Sequence, residues 1–106
     1  MSLEILNCED FSWIAQFGGA SLWSARMGES KVFFLQPSSV AQSWACWAVS
    51  FEPGRVRLTT SRKGQPVIQI LTNDVESAQA TCKTVLEKIK QQSAELRFFV
   101  GHGWSA

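Results

Sequence analysis

Short runs of apolar or alternating residues, separated by turn-forming residues, make up the first part of the chain. The turn signals are Gly18-Gly19, Gly28-Glu29-Ser30, Pro37-Ser38-Ser39, Glu52-Pro53-Gly54 and Lys63-Gly64-Gln65-Pro66. Short runs between such signals are typical of β-strands. In Arg55–Thr59, Val56 and Leu58 alternate with polar residues, which is the pattern of an antiparallel strand with one buried face.

The pattern predicts an antiparallel sheet of four to six strands. The predicted strands are Ala20–Met27, Lys31–Gln36, Trp44–Phe51, Arg55–Thr59 and Val67–Leu71, with Glu95–Val100 as a further candidate. The segment before Gly18 fits two interpretations. A strand would align Phe11, Trp13 and Ala15, whereas a short helix would align Phe11, Ile14 and Ala15.

The period changes to that of an amphipathic helix from about residue 74 to residue 92. Apolar residues recur there at steps of three and four: Val75, Ala78, Cys82, Val85, Leu86 and Ile89. Thr72, Asn73 or Asp74 can cap its start. Because the strands come first and the main helix comes late, we expect an α+β fold in one domain, residues 1–106, with the helix packed on one face of the sheet.

The other face of the sheet is predicted to be unusually apolar. Neighbouring residues of a strand point to opposite faces, so one member of each apolar pair must lie away from the helix. The residues assigned to this second face are Trp23, Phe34 and Trp44. A contiguous apolar patch on a protein surface is typical of an interface or a ligand groove.

Three covers for the second face remain open. The N-terminal segment, with Phe11, Trp13 and Phe17, could fold back over it. A second copy of the chain could cover it in a homodimer. A hydrophobic ligand or another partner could bind there. Whether Trp44 is buried would distinguish an internal cover from an open binding face.

Composition limits the partners. The net charge is +1 and the charged fraction is 18%, so the whole molecule has little electrostatic preference for nucleic acid or an anionic membrane. No stretch approaches the roughly 18 apolar residues that a membrane helix needs. The first residues resemble no secretory signal, and the three cysteines have no paired spacing. We therefore expect a cytoplasmic protein with reduced thiols and no membrane contact.

The residues capable of catalysis or metal binding form no recognisable motif. His102 is the single histidine, and Cys8, Cys46 and Cys82 are far apart in sequence. Structural zinc sites draw their ligands from close pairs such as C-x-x-C, and none is present. Neither a paired-carboxylate arrangement nor a phosphate-binding glycine loop is found. The sequence thus predicts no enzyme, no catalytic residue, no metal site and no cofactor.

A weak basic patch offers one further possibility. Arg55, Arg57, Arg62 and Lys63 lie within nine residues of one another. Beside exposed aromatic side chains they could bind single-stranded nucleic acid. Four cations with acidic neighbours give only weak affinity, so nucleic acid is disfavoured as a partner.

These observations predict a non-enzymatic domain that acts through protein–protein contact, as a homodimer. The alternative is a small binding module. Its aromatic sheet face would take a hydrophobic ligand or a single-stranded nucleic acid.

Overall fold

The computed structural model describes residues 3–17, 19–38 and 49–100, with side chains up to residue 91. Its elements in chain order are β1 (Glu9–Phe17), β2 (Ala20–Met27), β3 (Ser30–Pro37), β4 (Val56–Thr60), β5 (Pro66–Ile70) and α1 (Val75–Val100). The five strands form one antiparallel sheet in the order β1-β2-β3-β5-β4. The predicted α+β class is confirmed.

The β2–β3 hairpin lies at the centre of the sheet. Its pairing runs without a shift from Ala20 opposite Pro37 to Met27 opposite Ser30. Gly28 begins the connecting turn with φ of 64°, a left-handed conformation that glycine adopts without steric cost. The turn predicted at Gly28-Glu29-Ser30 is therefore present, and it closes a hairpin.

The N-terminal segment forms a strand, so the helical interpretation of residues 11–15 is wrong. β1 pairs with β2, and its register shifts between Glu9 and Ser12 and again between Trp13 and Ala15. Such irregularities add a residue to one strand and increase its local twist. They allow Ile14 and Phe17 of β1 to pack on the helix side.

The predicted strand Trp44–Phe51 is wrong where it can be compared. Residues 49–51 are helical, and residues 44–48 lie outside the described residues. Phe51 is half-buried against the core beneath α1, and its carbonyl accepts a hydrogen bond from Lys88 Nζ of that helix at 3.2 Å. Packing against the helix thus replaces strand pairing for Phe51. Pro53 follows, and a proline disfavours helical conformation in the residue before it.

The predicted final strand Glu95–Val100 is also wrong, because α1 continues through Val100. The sequence between Gln91 and Gly101 contains no glycine or proline. It includes Ala94, Glu95, Leu96 and Arg97, which are good helix formers. The short apolar run Phe98–Val100 resembles a strand when it is considered without these preceding residues.

The start of α1 agrees with the prediction. Asp74 precedes the helix, and its Oδ2 accepts hydrogen bonds from the Ser77 backbone N–H at 3.0 Å and from Ser77 Oγ at 2.8 Å. These bonds stabilise the carboxylate and lower the pKa of Asp74. Asp74 is therefore the N-cap among the three candidates.

The main core lies between α1 and one face of the sheet. The helix contacts β1, β3 and β5. The buried residues are Ala20, Leu22, Phe33, Leu35, Val56, Ile68 and Ile70 from the sheet side and Ala78, Cys82, Val85 and Ile89 from α1. The predicted apolar stripe of the helix is thus the face that packs on the sheet.

A second, smaller core lies on the opposite face of the sheet. Residues 3–8, called the arm from here on, bury Leu3 and Ile5 in one cluster with Ala25, Val32, Phe34 and Val67. The backbone N–H of Arg62, in the β4–β5 turn, donates to the carbonyl of Glu4 at 2.9 Å. The arm therefore crosses the second face from that turn to the start of β1.

We expect Phe34→Ala to lower the free energy of unfolding by about 3–5 kcal/mol, the usual cost of removing a buried aromatic ring. Phe33→Ala is the matched control, because Phe33 is equally buried but lies on the helix side. Urea denaturation followed by circular dichroism measures both. A loss below about 1 kcal/mol for Phe34→Ala would contradict a second core under the arm.

Candidate functional site

One row of side chains crosses all five strands on the face opposite the helix. Strand pairing places Trp13 beside Trp23, Trp23 beside Phe34, Phe34 beside Gln69, and Gln69 beside Arg57. The middle of the row is buried, and Phe34 belongs to the cluster that contains Leu3 and Ile5 of the arm. Its two ends, Trp13 and Arg57, are exposed. The accessible part of the second face is therefore divided into an aromatic end and a basic end.

The aromatic end, called the aromatic corner, consists of Trp13, Trp23, Gln16, Ser21 and Gln36. Trp13 is 56% exposed, and Trp23 is half-buried against the second core. The Trp23 Nε1–H donates to Gln36 Oε1 at 3.0 Å, and Ser21 Oγ donates to Gln16 Oε1 at 2.7 Å. None of these five side chains carries a charge. The corner is thus an apolar surface with a hydrogen-bonded polar rim.

The structure separates the three aromatic residues that the sequence assigned to the second face. Trp23 and Phe34 are cross-strand neighbours there. Phe34 is fully buried, so it belongs to the core beneath the face and not to the contact surface. Trp44 lies outside the described residues. The burial test for Trp44 therefore remains a prediction.

The position of Trp13 differs from the prediction. The sequence predicts that Trp13 helps to cover the second face, together with Phe11 and Phe17. Phe11 does pack on that face, with its ring centroid 6.2 Å from that of Phe34, whereas Phe17 packs on the helix side. Trp13 stays exposed because Leu3 and Ile5 provide the cover instead.

The basic residues do not form one patch. Arg57 Nε donates to Gln69 Oε1 at 2.9 Å on the second face. Arg55 precedes β4 in a turn, with its Nε 3.9 Å from Glu52 Oε2, and Glu52 also accepts a bond from Lys88 of α1 at 2.8 Å. The strand begins at Val56, so the alternation that placed Arg55 and Arg57 on a common face does not apply.

The other two basic residues lie in the β4–β5 turn. Arg62 and Lys63 are both exposed there, and the Arg62 backbone holds the arm. An open depression of about 270 Å³ lies beside the arm, lined by Leu3, Glu4, Ile5, Cys8, Phe11 and Arg62. It is therefore formed by the arm itself, the start of β1 and the β4–β5 turn.

The two described cysteines are poor nucleophiles. Burial raises the pKa of the Cys8 thiol, and burial in the main core raises the pKa of Cys82 to about 12. Reactive cysteines have a lowered pKa, because the thiolate is the nucleophile. Cys46 and His102, the other residues capable of catalysis or metal binding, lie outside the described residues.

Within the described ranges, no group of three or more histidine, cysteine, aspartate or glutamate side chains is arranged to hold a metal ion. In the same part of the chain, no helix combines the length and the apolarity that a membrane span requires.

Three comparisons with known proteins, against protein-family models, curated proteins and solved structures, each found no match. Function is therefore inferred from the geometry of the aromatic corner and the arm.

In protein dilute enough to be monomeric, Trp13→Phe is expected to reduce the quenching of tryptophan fluorescence by acrylamide more than Trp23→Phe does. The reason is that the Trp13 ring is 56% exposed while the Trp23 ring is half-buried and hydrogen-bonded. Stern–Volmer constants of the two variants and the unmodified protein give the comparison. An equal decrease in both variants would show that the aromatic corner is covered in solution.

Proposed function

We propose that this chain is a non-enzymatic domain that acts through protein–protein contact and forms a homodimer. The observation that carries the proposal is the exposed Trp13 beside the half-buried Trp23, on a sheet face that the helix does not cover. Tryptophan is enriched at the energetically dominant centres of interfaces, because it combines a large apolar surface with one polar group.

The surroundings of Trp13 support a protein partner. Gln16, Ser21 and Gln36 form a polar rim beside the two rings, which is the usual arrangement around an interface centre. Trp23 is already held by Gln36, so little side-chain freedom is lost when it is covered. The corner therefore has the features of a contact surface before any partner binds.

A second copy is the partner that charge permits most easily. The chain has a net charge of +1, so two copies repel each other only weakly. The aromatic corner is uncharged, and its contact with the same corner of a second copy places no like charges together. Such a contact has two-fold symmetry, which is the commonest arrangement of homo-oligomers.

The same proposal places the protein in the reducing cytoplasm. Support comes from Cys8 and Cys82, which are both free thiols, with Cys8 partly exposed. Unpaired thiols of this kind are typical of intracellular proteins.

Light scattering coupled to size-exclusion chromatography is expected to give a dimer for the unmodified protein at tens of micromolar, at both low and high salt. Trp13→Ala is expected to shift the population to monomer, because it removes the exposed ring at the centre of the contact. Leu58→Ala is the matched control, since Leu58 is also exposed, at 43%, but pairs with Ile68 on the helix side. A strictly monomeric unmodified protein would refute the homodimer, and a dimer unaffected by Trp13→Ala would refute the role of the corner.

The second candidate function is a binding module for single-stranded nucleic acid or a hydrophobic ligand. Two observations favour it: the row that runs from Trp13 and Trp23 to Arg57, and the open depression beside the arm. Aromatic rings stack on bases, and an arginine neutralises a phosphate. Arg55 lies off the second face, and Arg62 and Lys63 lie in the β4–β5 turn. The binding module is therefore the weaker candidate.

Titration with a fluorescent oligothymidylate tests the second candidate. If it holds, Arg57→Ala weakens binding severalfold and flattens its salt dependence, while Arg55→Ala has little effect because Arg55 faces Glu52. Absence of binding at low salt, or an equal effect of the two variants, would exclude this use of the face.

A further inference from the structure

Leu6 presents a large apolar side chain to solvent in the turn that joins the arm to β1. It is 64% exposed, which makes it the most exposed large apolar side chain among the described residues, ahead of Trp13 at 56%. The preceding Ile5 is 5% exposed and belongs to the second core. The end of the arm therefore directs one apolar side chain into the protein and the next one outward.

The turn holds Leu6 in a defined position. The Cys8 N–H donates to the Ile5 carbonyl at 3.1 Å, which closes a β-turn with Leu6 and Asn7 at its centre. Asn7 has φ of 67°, a value that asparagine tolerates at the third position of such a turn. The buried Ile5 fixes the turn on one side, and β1 begins at Glu9 on the other. Little backbone freedom is therefore lost when a partner covers Leu6.

A surface without charged side chains joins Leu6 to the aromatic corner along β1. Cys8 and Phe11 lie between Leu6 and Trp13 in the chain, are half-buried at the edge of the second core, and line the same open depression. Single exposed apolar residues are ordinary, whereas a continuous series of them is typical of a contact surface. This surface, called the apolar strip, consists of Leu6, Cys8, Phe11, Trp13, Trp23 and Met27.

The charged residues of β1 and β2 are paired with one another away from the apolar strip. Arg26 alternates along β2 with Ala25 and Met27 of the second core, so its side chain points to the opposite face. Its Nη2 lies 2.9 Å from Glu9 Oε2, and its Nε lies 2.9 Å from Asp10 Oδ2. A second copy can therefore cover the strip without burying a charged side chain of these two strands.

The aromatic corner alone is too small for a stable dimer. Two tryptophan side chains bury at most about 500 Å² on one subunit, whereas a standard interface buries about 800 Å² per partner. The missing area must come from surface that is continuous with the corner. The apolar strip provides such a surface, because β1 extends about 13 Å from Trp13 back to Glu9, next to the turn that holds Leu6.

The direction of the strip determines how two copies can meet. A corner that packs on the same corner of a second copy requires a two-fold axis through the contact. An axis across β1 would place Leu6 opposite the far end of that strand, where Gln16 is exposed and Phe17 packs on the helix side. An axis along β1 places Leu6 opposite Leu6 and Trp13 opposite Trp13, and it covers both exposed side chains.

We propose that the homodimer contact extends from the aromatic corner along the apolar strip, so that Leu6 of each copy packs on Leu6 of the other. This inference rests on the proposed homodimer and adds its geometry, a two-fold axis along β1. Trp13 lies at one end of the contact and Leu6 at the other, and the half-exposed surfaces of Cys8 and Phe11 become buried between them.

Opposite charges introduced at Leu6 test this geometry. Leu6→Lys and Leu6→Glu are each expected to raise the dimer dissociation constant about tenfold or more, because like charges then face each other across the axis. An equimolar mixture of the two variants is expected to form a mixed dimer nearly as tight as the unmodified one, because lysine then faces glutamate. Sedimentation equilibrium at low salt measures the constants, and native mass spectrometry with one chain isotopically heavy identifies the mixed dimer.

The same two substitutions at Leu58 are the matched control. Leu58 is 43% exposed but lies on the helix side of the sheet, so Leu58→Lys and Leu58→Glu should leave the dissociation constant unchanged. Circular dichroism of every variant verifies the fold, which exposed positions such as Leu6 and Leu58 should preserve.

The possible results separate failure of this geometry from failure of the proposed function. Unchanged dissociation constants for both Leu6 variants would overturn the extended contact and leave the homodimer intact. Weakened dimers that mixing does not restore would overturn the axis along β1, because Leu6 would then face a different residue. A monomeric unmodified protein would overturn both the homodimer and its geometry.

Discussion

The burial of two consecutive phenylalanines in β3 is the constraint on which the rest of the structure depends. Phe33 and Phe34 point to opposite faces of the central strand, and both are fully buried. The sheet must therefore be covered on both sides. One long helix covers the first face, and the arm, which has no regular secondary structure, contributes to covering the second. The exposed Trp13 follows from this difference, because a short segment that crosses the sheet leaves the outer part of β1 uncovered.

Regular periodicity explains which parts of this fold could be predicted from the sequence. The helical stripe through Ala78, Cys82 and Val85 and the alternation of the central hairpin are local patterns, and both agree with the structure. The arm could not be found in this way. Leu3 and Ile5 cover the sheet from an irregular segment, and no period marks a residue whose burial depends on a distant strand. For the same reason the sequence predicts a cover that includes Trp13, whereas the structure provides one through Leu3 and Ile5.

The two wrong strand predictions have a related cause. In Trp44–Phe51 and Glu95–Val100, the apolar composition alone favours a strand. Phe51 is instead buried against the helix, and Lys88 binds both its carbonyl and the Glu52 carboxylate. Lys88 lowers the pKa of Glu52, so this link is favoured above the ordinary range of a glutamate and is lost as the pH falls through the lowered value. Arg55 lies in the turn before β4, with its Nε 3.9 Å from the same Glu52 carboxylate, and so does not share a strand face with Arg57.

The edges of the sheet explain why a face is the better place for a contact. β1 is an edge strand, but its two register shifts interrupt the regular spacing of hydrogen-bonding groups that another strand would need. β4, the opposite edge, is five residues long and carries the charged Arg57. Both features are typical of edges that resist pairing with a further strand. The irregularity that protects β1 also sets the position of Trp13, which lies directly before the second shift. The same stretch of chain thus disfavours edge-to-edge association and presents an aromatic side chain for contact through the face.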